Sequence, residues 1–170
     1  FVQRWDTRKL KSPLTRIAAH TGPCATIDWH PDGKHLLSAS SDKTVKVWNI
    51  SAEGRRHKAV YEIKTPYPLR HARWRPSCQS SWPTGRGSRQ CTQIVTSYER
   101  DHPTVHVWDF RRPWLPFREM EGYQTAPTDL LWHSQDLLWT VNREGMFLQH
   151  DIKYAKKVMD KRNMQAFAIS

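Results

Sequence analysis

The chain has 170 residues and a net charge of +11, from 27 Lys and Arg against 16 Asp and Glu. With 38% apolar and 25% charged residues the composition is not that of a disordered chain. The length suits one ordinary core, and no apolar run approaches the ~20 residues that span a bilayer as a helix. The first residues lack a charged-then-apolar leader pattern, and Phe1 in place of Met gives the expectation of a piece of a longer chain. Three cysteines, Cys24, Cys78 and Cys91, are few and odd in number, so a reducing compartment is expected rather than a disulfide framework.

Taken in chain order, one short phrase recurs. It reads FVQRWDTR at 1–8, TVKVWNIS at 44–51, TVHVWDFR at 104–111 and MFLQHDIK at 146–153. Trp5, Trp48 and Trp108 precede Asp6, Asn49 and Asp109, and His150 precedes Asp151; the steps between these acidic or amide positions are 43, 60 and 42 residues. A second phrase precedes the last three: TIDWHPDG at 26–33, ARWRPSC at 72–78 and LLWHSQD at 130–136. Trp29 and Trp48 are 19 residues apart and Trp74 and Trp108 are 34 apart, so the middle unit carries an insertion, read at 77–91, with the Gly, Ser and Arg of a loop. Between these phrases lie HLLSASS at 35–41, TQIVTSYE at 92–99 and DLLWTVN at 136–142, short runs rich in Leu, Val, Ile and Thr that read as strands. A turn follows each, SSDKT, ERDHPT and NREG, and no segment keeps a long 3.6-residue apolar period.

Each unit is therefore several short strands over about 42 residues, the period of a four-stranded propeller blade. On this period and these motifs the chain resembles the WD40 repeat family, which implies an all-β propeller. The units run 14–51, 60–111 with the insertion at 77–91, and 118–153; residues 1–8 are the last strand of a preceding blade and 154–170 the start of a next one. A propeller closes with ~4–8 blades, so three units and one strand do not close alone. The resemblance implies a hydrogen-bonded tetrad of His20, Ser38 or Ser40, Asp42 and Trp48, and a blade-end motif at Trp5, Asp6, Trp108, Asp109 and Asp151. Such a set holds a turn and a loop against a strand where no helix covers them. The other units depart from it: Thr65 and Tyr123 stand at the His position, Asp101 is seven residues before Trp108, and Glu144 is six before His150. Those blades are expected to lean more on packing than on the network.

A narrower resemblance rests on WDFRRPWLPFREMEGY at 108–123, LLWHSQDLLWTVNREGMFLQHDI at 130–152 and KVMDKRN at 157–163. These segments look like the fungal restriction of telomere capping family, WD-repeat subunits of the SEA complex whose animal counterpart sits in the GATOR complex. The resemblance implies a non-catalytic scaffold on the cytoplasmic face of the vacuole membrane. It also implies a role in nutrient signalling through the target-of-rapamycin pathway and a link to telomere capping. The family's zinc-binding RING domain has no Cys and His pattern here, so no cofactor is expected in this chain.

Catalytic motifs are not the expectation either. No G-x-S-x-G or H-E-x-x-H occurs, and the repeating acids are architecture rather than an acid–base pair. TGRGSRQ at 84–90 lacks the Lys-Ser/Thr of a phosphate loop. Cys78 and Cys91 are 13 apart with no C-x-x-C, and of His20, His30 and His35, which are near in sequence, His20 already has a tetrad role, so no metal is expected. Candidate partner contacts are Trp82, Arg86 and Arg89 in the insertion and Arg111, Arg112, Trp114 and Phe117 at and after the end of the second unit, although for Trp114, with Phe117, packing across a blade edge is the favoured reading. The expected partners are other propeller subunits of a multiprotein complex, with weak contact to an anionic membrane. A basic propeller that binds nucleic acid or anionic membrane directly is the alternative, with nucleic acid the less favoured partner.

Overall fold

The computed structural model describes residues 1–51, 58–76, 92–99 and 102–158, and the regular elements named among them are fourteen β-strands. β1 (Val2–Arg4) pairs with β2 (Thr15–Ile17). β3 (Cys24–Trp29), β4 (His35–Ser40), β5 (Thr44–Asn49) and β6 (Ala59–Lys64) form a four-stranded sheet in that order. β7 (Leu69–Trp74), β8 (Gln93–Tyr98), β9 (Val105–Asp109) and β10 (Arg118–Met120) form the next. β11 (Asp129–Trp132), β12 (Leu137–Val141) and β13 (Phe147–Asp151) form the third, and β14 (Lys156–Lys157) pairs with β10. All pairings are antiparallel, and no sheet closes on itself. The expected all-β fold of open, successive sheets is what the chain adopts.

The sequence units are offset from the sheets by one strand. β2, β6 and β10 open new units in the sequence, yet each completes the sheet of the unit before it. The reason is local: the connections β1–β2, β5–β6 and β9–β10 hold ten, nine and eight residues, short of the dozen or more that a parallel crossover needs, so the pairing is antiparallel. Every unit is thus hydrogen-bonded to its predecessor by its own first strand. The strands that follow, β3 and β7, also share an irregularity. Register shifts at Cys24/Thr26 on β3 and at Leu69/His71 on β7 mark bulges at matching places.

Both faces of the central strands are covered, which is why apolar residues do not alternate cleanly with polar ones along them. Leu37, Ala39, Val45, Val47 and Ile63 of the first full sheet pack against Leu69, Ala72, Trp74, Ile94, Tyr98 and Trp108 of the second. Leu36, Trp48 and Ile50 face the other way, onto Val2, Ile17 and Ala19. The same division repeats further on: Val95, Val105, Val107 and Met120 meet Leu130, Leu138 and Ile152. The innermost strands adjoin one another, β7 against β3 and β4, and β11 against β7.

Polar ties cross the same seams. Asp28 Oδ2 accepts the backbone N–H of Trp74 at 2.8 Å, and the His71 ring meets the Thr128 carbonyl at 2.8 Å. Arg75 reaches from β7 to the third sheet, donating to the Gln135 carbonyl at 2.7 Å and to the Asp136 carboxylate. Asp136 also takes Lys153 Nζ at 2.8 Å. Lys153 holds the Asp136 carboxyl below its usual range, with burial opposing and Arg75 assisting.

Candidate functional site

The first full sheet brings His20, Ser38, Asp42 and Trp48 into one chain of hydrogen bonds. Trp48 Nε1–H donates to Ser38 Oγ at 2.9 Å, and Ser38 Oγ lies 2.7 Å from His20 Nε2. His20 Nδ1 lies 3.1 Å from Asp42 Oδ2. One assignment satisfies every atom: Ser38 gives its proton to Nε2, and the neutral imidazole gives its Nδ1 proton to the carboxylate. Asp42 further accepts the backbone N–H of Thr21 and of Thr44, both at 3.1 Å, and the Thr44 hydroxyl at 2.6 Å. Burial alone would raise the Asp42 carboxyl, but the Thr44 hydroxyl, His20 and Thr21 outweigh it and bring it down to about 2. Burial wins at His20, whose side chain is 1% exposed, and lowers the imidazole despite the carboxylate beside it.

Ser40 stands outside this chain. Its hydroxyl donates to the Pro23 carbonyl at 2.7 Å and accepts the Asp42 N–H at 3.1 Å, so it shapes the turn instead. The turn also uses Lys43 at a φ of 65°, where the third unit has Gly145 at 74°. Thr65, at the His position of the second unit, fastens the same turn: its N–H and hydroxyl both donate to the Lys43 carbonyl, at 2.8 and 3.0 Å.

The second and third sheets build different networks at the same places. Trp108 Nε1–H donates to Thr96 Oγ1 at 3.0 Å, and the buried Tyr98 hydroxyl meets His106 Nδ1 at 2.6 Å. Tyr123, at the His position of the third unit, accepts from the Thr140 hydroxyl at 3.2 Å, and its ring lies 5.1 Å from that of His150. Sequence reading did not single out Thr44, Thr96, Tyr98, His106 or Thr140. Thr96 is 12 residues before Trp108, whereas Ser38 is 10 before Trp48, so the longer turn in the second unit hides the match.

The blade-end positions share one device. Asp6, Asn49, Asp109 and Asp151 each accept, through Oδ1, the backbone N–H two residues on, at 2.9, 3.0, 3.0 and 2.9 Å. This is the Asx-turn, which bends the chain out of the strand. Arg8 and Arg111 add their guanidinium groups to the acids they follow. Burial would raise Asp109, but Arg111 outweighs it and keeps the carboxyl low. Trp48 and Trp108 are buried, whereas Trp5, just past β1, is 44% exposed.

Of the candidate partner contacts, Trp82, Arg86 and Arg89 lie outside the described residues. The others sit in the loop from β9 to β10. Arg112 donates its backbone N–H to the Asp109 carbonyl, Trp114 is 84% exposed, and Phe117 is 41% exposed with Arg118 4.9 Å from its ring centre.

Beside this loop, between the first two full sheets, is a cavity of about 830 Å³ lined by His30, Asp32, His35, Trp74, Arg75 and Phe110, among others. Asp32 lies 3.0 Å from His30 Nδ1 and 2.7 Å from His35 Nδ1. Its Oδ1 also accepts the backbone N–H groups of Lys34 and His35, at 2.8 and 3.1 Å. Burial would raise its carboxyl, but these donors hold it well below the usual carboxylate range. Sequence reading noted His30 and His35 but not Asp32; the signal that could have found the group is the H-x-D-x-x-H spacing.

With this geometry in view, comparison with known proteins is informative. Residues 11–49 match the family model described as "WD domain, G-beta repeat". An uncharacterized WD repeat-containing protein of Schizosaccharomyces pombe is 31% identical over 88% of this chain and 17% of its own length. GATOR2 complex protein WDR24 of Danio rerio is 32% identical over 95% of this chain and 20% of its own length, and the human protein of that name 29% over 95% and 19%. The chain spans about a fifth of the length of these curated relatives. Residues 11–49 are a WD40 repeat, and over 88–95% of its length the chain is homologous to a fungal WD repeat-containing protein and to the WDR24 proteins.

Proposed function

We propose that the chain is part of a non-catalytic WD-repeat scaffold subunit in a GATOR2-type complex, the SEA complex of fungi. The observation that carries this reading is similarity over 95% of the chain to proteins named as GATOR2 components. The geometry supports it: in the first full sheet the converging polar side chains satisfy one another and brace a turn, and in the second Trp108 and Tyr98 are tied likewise, leaving sheets that present loops to other proteins. The loop carrying Arg111, Arg112, Trp114 and Phe117 is the contact surface we favour, since an exposed aromatic flanked by arginines is the composition of an interface anchor.

The finer assignments are a peripheral place on the cytoplasmic face of the vacuole membrane, action in target-of-rapamycin nutrient signalling, and the family's link to telomere capping. Several of the cations that make the chain basic are paired with acids, Arg8 with Asp6, Arg111 with Asp109, Lys153 with Asp136 and Lys156 with Glu121, which favours a scaffold over a phosphate-binding surface. The test is a pull-down of the full-length parent protein from cell extract at low and high salt, with partners identified by mass spectrometry. A fixed set of propeller proteins retained at high salt supports the scaffold. Nucleic acid or lipid alone, stripped by salt, overturns it.

A further inference from the structure

Among the described residues, His30, Asp32 and His35 form a group of three metal-ligand side chains whose donor atoms all lie within 4.8 Å of one another. The turn between β3 and β4 creates this convergence. The His30 N–H donates to the His35 carbonyl at 2.9 Å, and the Gly33 N–H donates to the His30 carbonyl at 3.0 Å. Gly33 takes a φ of 67°, a left-handed conformation that glycine adopts without a Cβ penalty. The closed turn therefore fixes the bases of both histidines, and Asp32 rides on it between them.

The rings are fixed as well. Trp74 of the second sheet meets the His30 ring edge-on, with centres 4.6 Å apart and planes at 85°. The two imidazole rings stand 6.0 Å apart and nearly perpendicular. Zn–N bonds of about 2.0–2.1 Å place donor atoms on one tetrahedral ion about 3.4 Å apart, so small side-chain shifts bring all three to bonding distance. Two imidazoles and a carboxylate are a donor set for zinc-class ions, and three protein ligands leave a fourth position open. Here that position faces the cavity between the sheets.

We propose that His30, Asp32 and His35 bind one divalent transition-metal ion of the zinc class, with an open coordination position toward the cavity beside Trp74 and Phe110. The ion takes the place of the contacts that the Asp32 carboxylate now makes with both Nδ1 atoms, and of the Asp32 N–H that donates to His30 Nδ1 at 3.1 Å. It fastens the β3–β4 turn where that turn meets the second sheet, so metal and blade packing are coupled. The inference stands apart from the scaffold reading and departs from the sequence expectation of no metal.

The test is Zn²⁺ titration of the metal-free chain by calorimetry, with Co²⁺ absorption reporting coordination number. Asp32→Asn removes the charge but leaves an oxygen for the N–H groups of Lys34 and His35; His35→Gln removes an imidazole that is 28% exposed. His133→Gln, on an exposed residue of the third sheet, is the control. Circular dichroism of each metal-free variant checks its fold, and either of the two site variants suffices if the other fails to fold. One equivalent bound, weakened about tenfold or more in the site variants and unchanged in the control, is the expected result. No uptake by the parent chain overturns the proposal, and so does uptake equal in all three variants, which would place the metal on other imidazoles or thiols.

Discussion

Replacing Asp42 by Ala tests the network at its most connected point. The carboxylate accepts from Thr21, Thr44 and His20, and Thr44 contributes both its backbone N–H and its hydroxyl. Thr21 is exposed, so water replaces the lost acceptor there at little cost. His20 is different, since its side chain is 1% exposed and its Nδ1–H loses a charged partner out of reach of solvent. A buried donor left unsatisfied costs about 1–3 kcal/mol, and hydrogen bonds to a charged acceptor are worth about 1.5–3 kcal/mol each before water compensates. Together these give a loss of about 3–4 kcal/mol, which in a chain of this size lowers the melting temperature by about 6–16 °C. Asp42→Asn keeps an oxygen for the Thr44 N–H and is expected to lose less. The assay is urea and thermal unfolding followed by Trp fluorescence, completed by Ser38→Ala and the double variant. Asp42 and Ser38 act through one imidazole, so their effects should fall short of additivity by about 0.5–3 kcal/mol. A loss within about 0.5 kcal/mol for Asp42→Ala, the range of ordinary surface changes, would refute the argument. Full additivity would show that His20 does not couple the two.

Stability should fall with acid in two stages. Burial lowers His20, His71 and His150 below the ordinary imidazole value of 6.5, so their contribution is complete above about pH 6.5 and is lost as pH falls below it. Asp42 contributes above its ordinary 3.8 and loses that contribution as pH falls toward about 2, so Asp42→Asn should shrink the second stage of a urea-midpoint series and, because the Asp42 charge props up His20, deepen the first. Tyr98→Phe removes the hydroxyl 2.6 Å from His106 Nδ1 in a fully buried site, with an expected loss of about 1–3 kcal/mol in urea unfolding. Trp114→Ala, at 84% exposure, should change stability by no more than about 0.5 kcal/mol while weakening partner capture in the pull-down; a large loss of stability would show that Trp114 packs instead.

Much of the fold was legible because the blade is a local object. The recurrence of Trp, Asp and β-branched runs located β4, β5, β8 and β9, whose pairing is set by short turns. His20, Asp42 and Trp48 were legible because their spacing is that of a known repeat. What stayed hidden depends on three-dimensional neighbours. Spacing left Ser38 and Ser40 equivalent; the pleat points both to one face of β4, and only their place along it, Ser38 beside His20 and Trp48 and Ser40 beside Pro23, separates them. Thr65 was read as a missing histidine, whereas it holds the turn of the sheet before its own. The convergence of His30, Asp32 and His35 arises from a turn whose closure no single residue announces, and from Trp74 in another unit.

The three full units are built on one plan but finished to different degrees, and this should appear as a gradient of local stability. In the first, all four polar side chains of the network have partners. In the second, Trp108 keeps its hydroxyl acceptor and Tyr98 and His106 replace the rest. In the third, His150 stands where the indole would be, and its Nε2 is buried with no hydrogen-bond partner among the described residues. Leu131 and Phe147 are 62% and 55% exposed there, so its strands bury less apolar surface per residue. Local opening costs least where buried contacts are fewest and polar groups are least satisfied. Native-state hydrogen exchange should therefore be fastest in β12 and β13, slower in β8 and β9, and slowest in β4 and β5, where the network is complete. Restoring the indole with His150→Trp should slow exchange in β12 and β13, because Thr140 offers the acceptor that Thr96 gives Trp108. Equal protection across the three sheets would show that packing between neighbours, rather than the network within each, sets the stability of a blade.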